Sequence, residues 1–117
     1  MIPSILLVED DPHIARLLEI YLGRDFRVQR TGTFQAAVAA LSNATFDCAV
    51  LDVTLPDRPG WELITLLKQE HPATCILVMT GRTDAETRQK ALAMGAQQVI
   101  NKPLAPADVK RAIQSLL

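Results

Sequence analysis

Ile5-Leu6-Leu7-Val8-Glu9-Asp10-Asp11-Pro12 is the stretch on which the reading of this chain turns. Its apolar half shows no alternation with polar residues, the pattern of a short strand buried on both faces. Acids follow at once, and Asp11 before Pro12 has the form of a helix cap followed by a residue preset for the first turn. Beyond them Ile14, Leu17, Leu18, Tyr21 and Leu22 recur at spacings of three and four, and Gly23 stands where a helix commonly stops. A buried strand, an acidic turn and an amphipathic helix therefore form the first unit.

The unit repeats in type. Further apolar runs lie at Phe26 to Val28, Cys48 to Leu51, Cys75 to Met79 and Val99 to Ile100. Between them Phe34, Ala37, Val38 and Leu41 mark a second helix, capped by Thr31 or Thr33, and Leu63, Ile64, Leu66 and Leu67 a third that stops before Pro72. A fourth starts near Thr83 or Asp84 and ends at Gly95, the weakest of the set, with Ala85, Leu92 and Met94 as its main apolar contributions. The last carries Pro106, Val109, Ile113 and Leu116. Strands alternating with helices predict an α/β fold: a doubly wound parallel sheet with helices on both faces.

Composition agrees with one such domain over residues 1–117. Apolar residues make up 49% and charged residues 21%, far from a disordered composition. Twelve basic side chains against thirteen acidic ones give a net charge of −1, so no broad positive field draws nucleic acid or an anionic membrane. No apolar run approaches the about 18 residues of a membrane span, and the acids interrupt the N-terminal run before a signal-peptide core forms; the expected compartment is the cytoplasm. Cys48 and Cys75 lack metal-ligand spacing and read as small strand hydrophobes.

In an open parallel sheet, ligands bind beyond the carboxyl ends of the strands where strand order reverses, between strands 1 and 3 in the flavodoxin-like order 2-1-3-4-5. The residues past each run are Glu9, Asp10 and Asp11; Asp52; Thr80 and Gly81; and Lys102 and Pro103. Asp11 is accounted for as a cap. Glu9 or Asp10 beside Asp52 would repel in a partly buried cleft unless protons or a cation compensate. Oxygen ligands without His or Cys favour Mg²⁺, which takes one or two carboxylates and keeps several waters.

At these residues the chain resembles the receiver domains of two-component response regulators. The resemblance runs from Ile5 to the end and rests on Ile-Leu-Leu-Val-Glu-Asp-Asp at 5–11, Leu-Asp-Val-Thr-Leu-Pro-Asp at 51–57, Met-Thr-Gly at 79–81, Gly-Ala at 95–96 and Asn-Lys-Pro-Leu at 101–104. It implies a flavodoxin-like, five-stranded sheet with five helices, and Asp52 as the acceptor of a phosphoryl group from a histidine kinase or histidine phosphotransfer protein. By the same resemblance Glu9, Asp10, Asp52 and the carbonyl of Thr54 hold Mg²⁺. Lys102 and Thr80 meet the phosphoryl group, Gly81 leaves it room, and Thr54 and Arg82 tune its lifetime. The bond before Pro103 is expected to be cis. The resemblance implies no turnover enzyme, only self-catalysed transfer to Asp52 and autodephosphorylation, with a downstream output domain or partner protein.

The chain also departs from the family pattern. Val99 stands where an aromatic switch residue is usual, so coupling to the face of helix 4, strand 5 and helix 5 is expected to differ or weaken. Leu104 replaces a common Phe. Gln97-Gln98-Val99 lacks the Asp-Asp-Tyr of many receivers that dimerise ahead of winged-helix domains. Leu117 falls where a receiver's last helix ends, which fits a stand-alone regulator or a segment of a longer one.

Trp61 reads as a packed or partly exposed helix residue, and His13 and His71 as solvated. Three other readings compete. A haloacid-dehalogenase-type phosphatase would carry Asp-x-Thr after its first strand, whereas Asp52-Val53-Thr54 follows the third. A flavin carrier would not place carboxylates where its phosphate must bind. A receiver-like module without phospho-switching stays open through Val99.

Overall fold

The computed structural model describes residues 2–81, 85–102 and 105–117. Strands β1 (Ser4–Val8), β2 (Arg27–Thr31), β3 (Cys48–Asp52), β4 (Cys75–Thr80) and β5 (Gln98–Asn101) alternate with helices α1 (Pro12–Leu22), α2 (Phe34–Asn43), α3 (Trp61–Glu70), α4 (Ala85–Met94) and α5 (Pro106–Leu116). The sheet order is β2-β1-β3-β4-β5 and every neighbouring pair is parallel. This is the expected doubly wound, flavodoxin-like architecture, with the acidic turn after β1 facing the end of β3.

The missing polar alternation has a direct cause, since successive strand residues feed two separate cores. Leu6, Val8, Ala49, Leu51, Ile76 and Val78 pack with Phe34, Leu41, Leu63, Ile64 and Ala91 from α2, α3 and α4. Ile5, Leu7, Cys48, Val50, Leu77 and Met79 pack with Leu18, Leu22, Val109 and Ile113 from α1 and α5. Neither face of a central strand meets water, and each fully buried leucine or isoleucine contributes about 1.5–3 kcal/mol.

Several local expectations need correction. The second strand is Arg27–Thr31 rather than Phe26 to Val28, and Arg27, Gln29 and Arg30 are exposed. It is an edge strand, defined by backbone pairing with β1 rather than by buried side chains. The fifth strand likewise extends to Gln98 and Asn101. In α4 the buried residues are Thr87 and Ala91, while Ala85 is exposed and Leu92 is 41% exposed. The helix turns these small residues inward with Met94, which is half-buried against the core as expected, and leaves Ala85 and Leu92 facing out. Cys75 is half-buried, with its thiol directed at the Leu116 carbonyl oxygen, 3.2 Å away. Cys48 is buried, and burial pushes its thiol up to about 12.

The helix starts follow local chemistry. Asp11 accepts from the backbone N–H groups of His13 and Ile14 and caps α1, and Thr33 rather than Thr31 caps α2 by accepting from Ala36. Thr31 is instead buried and donates to the Leu7 carbonyl. The expected cap of α4 at Thr83 or Asp84 and the peptide bond before Pro103 lie outside the described residues, as does Leu104. No helix of the described residues is long and apolar enough to cross a membrane.

Candidate functional site

The site is assembled from strand ends. Glu9 follows β1 directly and is 2% exposed; its backbone N–H donates to the Thr31 carbonyl and keeps the chain against β2 past the strand. Its Oε2 accepts from the Asp11 N–H at 3.0 Å. Asp10, the next residue, is exposed on the rim. Asp52 ends β3 and is 5% exposed, with Oδ1 accepting from the Thr54 N–H at 2.9 Å and Oδ2 from Lys102 Nζ at 2.7 Å. Carboxylate oxygens of Glu9, Asp10 and Asp52 all lie within 4.8 Å of one another.

Lys102 reaches this cluster from beyond β5, and its backbone N–H donates to the Thr80 carbonyl at 2.7 Å, which ties it to the end of β4. Its ammonium group forms ion pairs with both Glu9 Oε1 and Asp52 Oδ2. Glu9 Oε1 is buried, and the group it faces is the Lys102 ammonium. Burial raises the Glu9 carboxyl above its ordinary value, and the opposing pull of Lys102 does not cancel that effect. At Lys102 burial opposes the charge, but hydrogen bonds and attraction from Asp52 and Glu9 outweigh it and hold the ammonium above its usual range. One cation thus serves two buried anions while Asp10 stands beside them. Three carboxylates facing one ammonium group, an all-oxygen donor set, fit a hard divalent ion.

Thr80 is buried at the end of β4, opposite Asn101 in the register. A Cβ built on Gly81 would meet nothing within 4 Å, so there is open space at this point of the rim. Val99 is 5% exposed within the core, and its carbonyl accepts from Arg88 on α4 at 3.2 Å. Arg82 lies outside the described residues. Trp61 is half-buried with Lys90 Nζ 4.5 Å from its ring centroid, and is occupied in joining α3 to α4. His13 is exposed, whereas His71 is half-buried as the residue that ends α3.

Two residues near the site were not singled out in the sequence. Gly60 donates its N–H to the Val53 carbonyl, and a Cβ there would lie 2.5 Å from the Asp52 carbonyl oxygen and 2.6 Å from Val53 Cα. The start of α3 therefore packs against the backbone of Asp52, a contact only glycine permits. Asp57 accepts from the N–H groups of Phe34 and Gln35 at 2.9 and 3.0 Å. The Pro-Gly step before a helix was a usable signal for the first; a contact across 23 residues left none for the second.

Comparison with known proteins agrees with this arrangement. Residues 5–114 match the response regulator receiver domain family. The chain is 36% identical over 114 residues to the transcriptional regulatory protein QseB of Haemophilus influenzae, covering 97% of this chain and 52% of that protein. It is 32% identical over 115 residues to the transcriptional regulatory protein SrrA of Staphylococcus aureus, covering 97% and 47%. The chain thus spans about half the length of these curated relatives. Among solved structures, the chemotaxis response regulator CheY4 of Vibrio cholerae superposes with a TM-score of 0.93 at 26% identity over all of both chains. The BeF3-activated DrrB receiver domain gives 0.92 at 28% identity, over 99% of this chain and 97% of that one. Both the match and the fold favour a phosphoacceptor over the phosphatase and constitutive-module readings. The chain belongs to the response regulator receiver domain family.

Proposed function

We propose that residues 1–117 form one receiver domain in which Asp52 accepts a phosphoryl group from a phosphohistidine on a histidine kinase or histidine phosphotransfer protein. The observation that carries this reading is the Asp52 carboxylate held between Lys102 Nζ, at 2.7 Å, and the Glu9 and Asp10 carboxylates. An Asp52 oxygen attacks phosphorus, the P–N bond to the donor imidazole breaks, and its electron pair leaves with the ring. The Glu9, Asp10 and Asp52 side chains with the Thr54 carbonyl would hold Mg²⁺. When bound, the ion supplies charge neutralisation for the transferring group.

The chain's own residues do the positioning. Lys102 keeps the Asp52 side chain oriented and then pairs with the added oxygens, while the Thr80 hydroxyl donates to them and the space at Gly81 admits them. Thr54 and Arg82, at the positions where the family tunes the access of water, set the lifetime of the acyl phosphate. Added negative charge draws the segments carrying Thr80 and Lys102 toward Asp52. Val99 has no ring to exchange positions with Thr80, so the response at α4, β5 and α5 is weaker than at the rim. Helix α1, near His13 and Ile14, is the docking side for the donor protein, in the cytoplasm. The domain passes its signal to an output domain or partner protein, and turns over no substrate besides its own phosphate.

Treatment with acetyl phosphate and Mg²⁺ tests this reading. The expected result is a mass gain of one phosphoryl group, dependent on Mg²⁺ and absent in Asp52→Ala. No gain in the wild-type chain would favour a module that binds partners without phosphate.

A further inference from the structure

The segment between β3 and α3 carries the proposed Thr54 ligand and connects directly to Asp52. Its ends are fixed: the Thr54 N–H donates to Asp52 Oδ1, and the Gly60 N–H to the Val53 carbonyl. Leu55 rests half-buried against the core, and the stretch beyond it, Pro56 to Pro59, is exposed. What holds it is Asp57, whose two carboxylate oxygens accept separately from the N–H groups of Phe34 and Gln35. Those amides open α2 and have no acceptor within the helix. With Thr33 Oγ1 taking the Ala36 N–H, the first turn of α2 is fully satisfied, two of its donors by a residue from another element. Arg58 reinforces the joint, with its guanidinium 4.8 Å from the Phe34 ring centroid and an ion pair to Glu62.

We infer that Asp57 is a positioning residue: by gripping the first turn of α2 it fixes the segment that presents Asp52 and Thr54 to Mg²⁺. This rests on the metal reading of the Glu9, Asp10 and Asp52 cluster. The physical reason is that the exposed stretch beyond Leu55 samples many conformations unless hydrogen bonds restrict it, and a metal site pays for every ligand it must order. A carboxylate on first-turn amides is a strong restraint, because it is charged, bidentate and favoured by the helix dipole. Coupling of this kind is reciprocal, so an ion that orders the loop must also tighten the first turn of α2.

The test uses the whole chain, with Mg²⁺ titrations followed by amide shifts and hydrogen exchange at Phe34 and Gln35. Asp57→Ala is expected to weaken Mg²⁺ binding roughly fivefold, Asp57→Asn to fall between it and wild type, and Mg²⁺ to slow Phe34 and Gln35 exchange in wild type only. Ala39→Gly is the control for a purely structural effect, since it weakens α2 at an exposed position beyond the first turn; it should lower helix stability and leave Mg²⁺ affinity unchanged. Equal affinity in wild type and Asp57→Ala, or an equal loss in Ala39→Gly, would overturn the inference while leaving the metal site standing. A wild-type chain that ignores Mg²⁺ would remove both.

Discussion

Lys102 Nζ stands 2.7 Å from Asp52 Oδ2 and also pairs with Glu9 Oε1, so a single ammonium group joins carboxylates delivered by β1 and β3. Its own side chain is 18% exposed, and those of Glu9 and Asp52 are 0% and 8% exposed. Removing the ammonium leaves two anions facing each other in a poorly hydrated cleft. Lys102→Met is expected to destabilise the metal-free domain by about 2 kcal/mol at neutral pH, below the full cost of breaking a buried pair because the rim admits water. Millimolar Mg²⁺ should restore part of the loss by binding the folded state alone. Urea denaturation with and without Mg²⁺ measures both; a variant as stable as wild type would show that the bridge carries no strain-relieving role.

Glu9 gives the complementary case. Its carboxyl is raised by burial, so the folded chain holds this proton more tightly than the unfolded chain. Stability from this group is therefore full at low pH and falls as pH rises from the ordinary glutamate range through the raised folded value. Glu9→Gln abolishes that fall. In the absence of metal it is expected to make the domain more stable at neutral pH by about 1 kcal/mol, and at the same time to abolish most of the Mg²⁺-dependent gain. Thermal melts over a pH series would show the two effects as crossing curves.

The fit of Gly60 against the acceptor backbone leads to a third expectation. A methyl group at this position must displace either the Asp52 carbonyl oxygen, 2.5 Å from the Cβ site, or the start of α3. Gly60→Ala should lower stability by about 1–3 kcal/mol, the range for overpacking a closed contact, and should also weaken Mg²⁺ binding. Gly81→Ala is the comparison, since its Cβ would meet nothing within 4 Å and its stability should stay at the wild-type level. Equal behaviour of the two variants in denaturation would contradict this.

Acid should loosen the joint between α2 and the acceptor loop. Asp57 is held below its ordinary value by the N–H groups of Gln35 and Phe34. A depressed carboxyl contributes stability that is present above its unfolded value and is lost as pH falls through the folded one, here below the usual aspartate range. Asp11 at the start of α1 is depressed in the same way by Ile14 and His13. Amide shifts of Phe34 and Gln35 should therefore titrate only at strongly acid pH, and Asp57→Asn should remove the titration at Phe34 and Gln35 while sparing that at His13 and Ile14.

Much of this was legible in the sequence because the residues that carry it sit at punctuation marks. Glu9, Asp52, Thr80 and Lys102 each come just after an apolar run, so the strand ends name residues that the fold sets along one rim of the sheet, three of them in contact. Asp11-Pro12 announced its helix for the same reason. What stayed hidden depends on geometry across the fold. Arg27, Gln29 and Arg30 are strand residues because an edge strand needs only backbone partners, and hydropathy cannot see that. The inward face of α4 is lined by Thr87 and Ala91, too small and too polar to set a period. Asp57 looks like one more loop acid until its carboxylate is seen on the amides of Phe34 and Gln35.

The most direct measurement of the central claim locates the phosphoryl group. Wild-type chain treated with acetyl phosphate and Mg²⁺ is reduced with borohydride, which converts an acyl phosphate to an alcohol, and the product is read by tandem mass spectrometry. The account expects the reduced side chain at Asp52 alone and none when Mg²⁺ is withheld. Modification at Glu9, Asp10 or His13 instead, or an unmodified Asp52 in fully folded protein, would contradict it.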